Sequence, residues 1–275
     1  MDEAHRIGAF ERTCDKHGVT AHCVSLWIGP ALGAVERACL RSMLRLGHEV
    51  TLYCYDAVAG VPRGVALRDA SEIVLPERII RHRSGSVALF ANLFRYELQR
   101  RALGTWVDLD LYLLKPLDGT HPYLFGAEEP GRYSNGVLRL PPDCPMLATL
   151  LTLFDERVVP PWLPWRARMA ARWRLLRRKR VGLSDMPWGS AGPAALTYLV
   201  NAHGLAHHAL APEILYPVHW REARWILDPS RTLERMTGPD TRSVHLYNEL
   251  IKGFKEAPAP PGSFLARLQR EGAPD

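Results

Sequence analysis

The stretch that decides the fold runs from Asn92 to Pro116 and reads NLFRYELQRRALGTWVDLDLYLLKP. A helical run is stopped by Gly104, a short apolar strand follows over Thr105 to Val107, and Asp108-Leu109-Asp110 comes at its end. Two carboxylates one residue apart at a strand end point to the same side of the pleat. Such a pair suits a hard divalent cation, which takes oxygen ligands and accepts a diphosphate as a further one. In open α/β sheets ligands gather beyond the carboxyl ends of the strands, and this triplet stands at such an end.

The flanking sequence supplies the sheet. Residues 22–28, HCVSLWI, form a β-rich run closed by Gly29-Pro30. Ala31 to Leu46 repeats apolar residues at three- and four-residue steps, which predicts a helix ended by Gly47. Glu49 to Tyr55 is a second strand, so the chain opens β-α-β, with a parallel pair and a right-handed crossover expected. Val65 to Leu75 holds room for another strand, and Ser86 to Leu103 reads as the helix before the triplet. Beyond Pro116, Tyr123 to Ala127 and Gly136 to Leu140 read as strands around a polar turn, Glu128 to Asn135. Cys144 to Val158 reads as a helix, and Gly192-Pro193 starts another that runs to about Ala202. Pro212 to Val218 and Ser243 to Tyr247 read as short strands, and Ser263 to Glu271 as a terminal helix.

Composition narrows the classes. An apolar fraction of 47% and a charged fraction of 23% over 275 residues fit one large α/β domain and argue against a disordered or fibrous chain. Five scattered cysteines, Cys14, Cys23, Cys39, Cys54 and Cys144, include no C-x-x-C pair, which excludes a zinc knuckle and a thioredoxin motif. They read as small buried hydrophobes of a reducing compartment. Met1 to Thr20 lacks the apolar core of a secretory signal, and no run reaches the ~20 apolar residues of a membrane span. A cytoplasmic protein, soluble or peripheral on the inner face of the plasma membrane, is the expectation.

Residues 160–187, PPWLPWRARMAARWRLLRRKRVGLSDMP, depart from the rest. Eight basic residues stand there against Asp185 alone, more than the net charge of +6 of the whole chain, so the remainder is slightly acidic. On a helical wheel Trp165, Met169, Trp173 and Leu176 share a face surrounded by arginines, with Arg172 and Arg180 intruding. Such a Trp- and Arg-rich insertion suits an anionic membrane surface. The bland alternative is a solvated helix whose tryptophans pack on the domain. Arginines interleaved with tryptophan also grip nucleic acid in some proteins, but the acidic remainder and the lack of a nucleic-acid motif argue against that partner.

Trp27 ends the first strand, and its indole would place a stacking face for a nucleobase on the rim that holds the aspartates. From here the chain resembles the glycosyltransferases with a DXD-containing sugar-binding region. That family includes yeast-type α-1,6-mannosyltransferases, α-1,4-galactosyltransferases of globo-type glycolipids and many bacterial surface-glycan enzymes, with the glucosylating clostridial toxins as distant relatives. The matching landmarks are Trp27-Ile28-Gly29, Ala91-Asn92-Leu93-Phe94-Arg95-Tyr96, Trp106-Val107-Asp108-Leu109-Asp110, Lys115-Pro116, Ser134-Asn135-Gly136, Gly192-Pro193-Ala194 and His245-Leu246-Tyr247-Asn248-Glu249. They come in the family's order and cover most of Cys23 to Glu249. Asn92 departs from the pattern, standing where many members carry an aspartate for sugar or ribose hydroxyls, and Gly104-Thr105 replaces Gly-Gly.

The resemblance implies a GT-A type nucleotide-diphospho-sugar transferase: one Rossmann-like domain over residues 1–275 with a mixed, mostly parallel central sheet. It implies Asp108, Asp110 and His245 as ligands of Mn²⁺ or Mg²⁺, and Asp108, Asp110, Arg95 and Asn135 as catalytic groups. Trp27, Asn92, Arg95, Asp108, His245 and Asn248 would hold the nucleotide-sugar donor, Arg95 reaching its sugar or phosphate. It implies retaining transfer of a hexose to a glycan or lipid-linked acceptor in surface polysaccharide synthesis, with a UDP-sugar favoured by the HLYNE ending. Glu128, Glu129 and Asn135 lie where sugar and acceptor would meet; no firm nucleophile stands out, and front-face transfer is preferred, to be overturned by a glycosyl adduct trapped on Glu128 or Glu129. A non-catalytic glycan-binding relative and a nucleic-acid-binding protein are the competing readings.

Overall fold

The computed structural model describes residues 19–274. Cys14, and nearly all of the Met1 to Thr20 segment that lacks the apolar core of a secretory signal, lie outside the described residues.

The expected β-α-β opening is present. Strand β1 (Cys23–Trp27) leads through helix α1 (Ala34–Arg45) to β2 (Val50–Cys54), and β3 (Val65–Asp69) follows. After two short 3-10 turns come α2 (Ala88–Arg100), β4 (Thr105–Val107) and β5 (Leu111–Leu113), then the hairpin β6 (Leu124–Glu129) and β7 (Arg132–Arg139). Helices α3 (Pro145–Thr152), α4 (Trp165–Leu176), α5 (Pro193–Ala202), α6 (Pro212–Leu215) and α7 (Leu233–Met236) precede β8 (Ser243–His245), α8 (Asn248–Ile251) and α9 (Phe264–Glu271).

Six strands form one sheet in the order β3-β2-β1-β4-β7-β6. The first four run parallel, β7 pairs antiparallel with β4, and β6 antiparallel with β7. This is a mixed, mostly parallel α/β sheet compatible with a Rossmann-like fold. Parallel strands are covered on both faces, and the alternation here sorts the side chains accordingly. Val24, Tyr53, Trp106 and Leu138 join a core with α2, α3 and α5, while Cys23, Leu52, Val107 and Val137 join another with α1. A third core lies between α1, α9 and the small antiparallel pair β5-β8. Cys23, Cys39, Cys54 and Cys144 are free and buried, as small hydrophobes should be, and burial pushes the Cys23 thiol up to about 12.

Two sequence expectations fail. The polar run Glu128 to Asn135 is not a turn: only Pro130 and Gly131 leave the strands, and Gly131 supplies the left-handed φ of +75°. Its polar side chains belong to strand positions that line a cavity, which is why they read as a loop. Pro212 to Val218 is not a strand: Pro212 opens the short helix α6, and the β pairing nearby is a single bridge between Leu210 and Gly126.

Candidate metal centre

Because β1 and β4 are parallel, Trp27 and Asp108 finish at the same edge of the sheet. The antiparallel β7 begins at that edge, carrying Ser134 and Asn135, and β6 ends there with Glu128. The edge opens into a cavity of about 1410 Å³, lined among others by Trp27, Asn92, Arg95, Asp108, Asp110, Glu128, Asn135, His245 and Asn248.

The aspartates are placed by a turn rather than by the pleat. The Asp108 amide donates to the Gly136 carbonyl (2.8 Å), and the Leu111 amide folds back to the Asp108 carbonyl (3.1 Å). β5 then pairs with β8, opposing Leu111 and His245, and the imidazole meets both carboxylates. One ligand atom each from Asp108, Asp110 and His245 lies within 4.8 Å of the others. Asp110 Oδ2 accepts from the Asn248 amide at 2.7 Å and stands 3.3 Å from His245 Nε2. Burial works against this carboxylate, but the imidazole and the amide hold it down at about 2. His245 moves the other way: burial disfavours its charge, and the surrounding carboxylates, Asp110 first, nevertheless raise its pKa.

Asp108 is held from behind. Its Oδ1 accepts from Arg95 Nη2 (3.0 Å) and Trp106 Nε1 (2.7 Å), leaving Oδ2 facing Gly136, where a Cβ would come within 3.2 Å of it. Burial raises the Asp108 pKa despite the guanidinium. Arg95 is 6% exposed at its side chain, stacks over the Trp106 ring at 4.6 Å and also donates to the Asn135 carbonyl. Its fork is paired with Asp108 and with the β7 backbone at the cavity wall, so it positions both. Asn248 likewise contributes its backbone amide, while its side-chain oxygen accepts from Lys255 (2.7 Å).

Asn92 and Asn135 form a buried amide pair, Asn135 Nδ2 donating to Asn92 Oδ1 at 2.8 Å and to the Tyr96 hydroxyl at 3.1 Å. Gly192 keeps this pair open to the cavity, since a Cβ there would sit 3.1 Å from Asn92 Oδ1. The Trp27 Nε1 is buried without a hydrogen-bond partner. The two glutamates separate: Glu128 lines the cavity with Oε1 4.0 Å from His245 Nδ1, whereas Glu129 pairs with His219 at 2.7 Å.

The donor set is chemically suited to a divalent cation. Two carboxylates and one imidazole offer oxygen and borderline nitrogen ligands, and His245 Nδ1 is buried with no partner of its own. Sequence reasoning missed one further feature of the wall. Glu36, in the first turn of α1, pairs with Lys255 at the cavity's edge. Its place between Val35 and Cys39 on the inward side of an apolar helix was the available signal.

No family model matches the chain, and no curated protein does. The reading of the site therefore rests on its own geometry.

Proposed function

We propose that the protein is a metal-dependent glycosyltransferase of GT-A type, moving a hexose from a nucleotide-diphosphate sugar, UDP-hexose first, to a glycan or lipid-linked acceptor. The observation that carries this reading is the convergence of Asp108, Asp110 and His245 on one point of a cavity that also bears the Trp27 indole. The cavity's 1410 Å³ exceeds the roughly 300–1,000 Å³ of a typical single-ligand pocket, as a site for a donor and an acceptor should.

A divalent cation held by these three residues would neutralise the charge that builds on the leaving nucleotide diphosphate. Arg95 counters the burial of Asp108 and fixes its rotamer, and the Asn248 amide does the same for Asp110. Trp27 offers a face to the nucleobase, and the Asn92–Asn135 pair offers neutral hydrogen-bonding groups to sugar hydroxyls. Front-face transfer suits the arrangement. The bond from the anomeric carbon to the phosphate oxygen breaks, the acceptor oxygen bonds that carbon on the same side, and the acceptor proton passes to the departing phosphate. Glu129 is held by His219, so Glu128 is the carboxylate whose glycosylation, if trapped, would overturn this route.

The test is Mn²⁺-dependent hydrolysis of UDP-hexoses, with thermal-shift measurements of each nucleotide sugar with and without metal. Asp110→Asn should lower turnover at least ~10²-fold while the protein still melts cooperatively. Turnover like that of the wild type in this variant removes the proposal.

A further inference from the structure

Helix α4 is apolar on two opposite sides. Ala167, Ala171 and Leu175 turn inward and pack on the core. Trp165, Met169, Trp173 and Leu176, at 64%, 56%, 54% and 83% exposure, face away from it. At 100° per residue these four fall within an arc of roughly 80°, centred opposite the packed side. Arg168 and Arg172 border one edge of that arc, Arg166 and Arg177 the other. Arg177 lies 3.3 Å over the Trp173 ring and Arg166 5.2 Å over Trp165, so the cations flank the stripe instead of covering it with acidic partners. Asp185 pairs with Arg174 and Glu156 with Arg180, neither of which borders the arc.

An outward apolar arc with Met169 and Leu176 at its centre, an indole at each edge and guanidinium groups along both borders complements a surface that is apolar below and anionic at its boundary. We propose that α4 is an in-plane anchor for an anionic lipid bilayer. The tryptophans and Leu176 enter the boundary of the acyl region and the arginines meet the phosphates. No helix among the described residues is long and apolar enough to cross a membrane, so the attachment is a surface one. An acidic protein or a nucleic acid would match the charges, yet would leave Leu176 and Met169 without an apolar partner.

The anchor adjoins the cavity. Trp162 on one flank of α4, and Leu183, Pro187 and Trp188 on the other, line its wall, and Trp188 is itself half exposed. Docking by α4 therefore brings this wall of the cavity near the bilayer. On the transferase reading above, which this step alone depends on, the acceptor class is a lipid-linked glycan.

Flotation with equimolar phosphatidylcholine–phosphatidylglycerol vesicles at low salt tests the anchor without donor or metal. Wild type should float with these vesicles and not with phosphatidylcholine alone. Arg172→Glu with Arg177→Glu should weaken partition on the order of five-fold or more per site, and Trp165→Ala with Trp173→Ala should abolish flotation. Both double variants should keep the wild-type melting profile and donor hydrolysis, since these side chains are exposed and outside the cavity. Absence of flotation with anionic vesicles overturns the anchor, as does flotation indifferent to both variants. Retention on heparin or single-stranded DNA without vesicle binding assigns the arginines to a polyanion and overturns it too. Donor hydrolysis without flotation leaves the transferase reading standing alone; flotation without hydrolysis does the reverse.

Discussion

Helices α2 and α4 are nearly equal in length, thirteen and twelve residues, and each breaks the rule that charge faces out and apolar surface faces in. α2 buries an arginine, and α4 exposes two tryptophans. In α2 the exception is compensated at once: Arg95 meets a carboxylate, a carbonyl and an indole ring. In α4 the exception stays open: Arg166 and Arg177 lie over the indole rings, yet all four apolar residues remain more than half exposed. A buried charge with a full set of partners is internal architecture; an apolar stripe left this exposed is a surface awaiting a neighbour.

That contrast can be broken by mutation. Arg95→Leu should destabilise the protein by about 3 kcal/mol, because it strands the Asp108 carboxylate against Trp106 in a poorly solvated place. Chemical denaturation would measure it, and a loss below ~1 kcal/mol would show that Arg95 is not Asp108's structural partner. Restoring neutrality with Asp108→Asn in the same chain should recover part of the loss.

A smaller effect is expected from pH. Asp110, at about 2 in the folded state against an ordinary 3.8, contributes about 2 kcal/mol above the ordinary value, and this is lost as pH falls through the folded one. His245, raised above 6.5, contributes stability fully present below 6.5 and lost as pH rises through its folded value. The metal-free protein should thus gain most from this pair between roughly pH 4 and 6.5, and melts of His245→Gln beside wild type should converge above that window. Mn²⁺ competes with the proton on His245, so the melting-temperature gain from Mn²⁺ should grow as pH rises through the same value. A gain that is flat with pH would take His245 out of the ligand set.

The smallest effect belongs to α4. Trp173→Ala should change stability by no more than ~0.5 kcal/mol in solution, as for a surface substitution. A loss of several kcal/mol would mean that this indole packs on the protein after all, and would erase the contrast between the helices.

Much of the framework was legible because its periods are clean. The Ala31 to Leu46 helix, the strand Thr105 to Val107 and the proline-led helix at Pro193 all appear where spacing and stop signals put them. The failures lie against the cavity or beside it. Ser134 and Asn135 are polar because they face the site, and polarity was read as a turn. The pleat argument put the two aspartates on one side for the wrong reason, since the Asp108 to Leu111 turn does the placing. No local pattern told that the Arg95 guanidinium pairs with a carboxylate thirteen residues on. For α4 the wheel showed the apolar stripe, but the packed side, made of Ala167, Ala171 and Leu175, was too small and too weakly patterned to say which face was anchored.

The pairing of β5 with β8 has a consequence in time. Asn248 follows Asp110 by 138 residues, and at about 5–20 residues per second of synthesis the two leave the ribosome about 7 to 28 seconds apart. Through that interval the aspartates exist without the imidazole and the amide that oppose their repulsion. The ligand set is completed only once β8 has been made, so a cation that needs all three ligands would bind a chain that carries His245 and ignore one cut short before it.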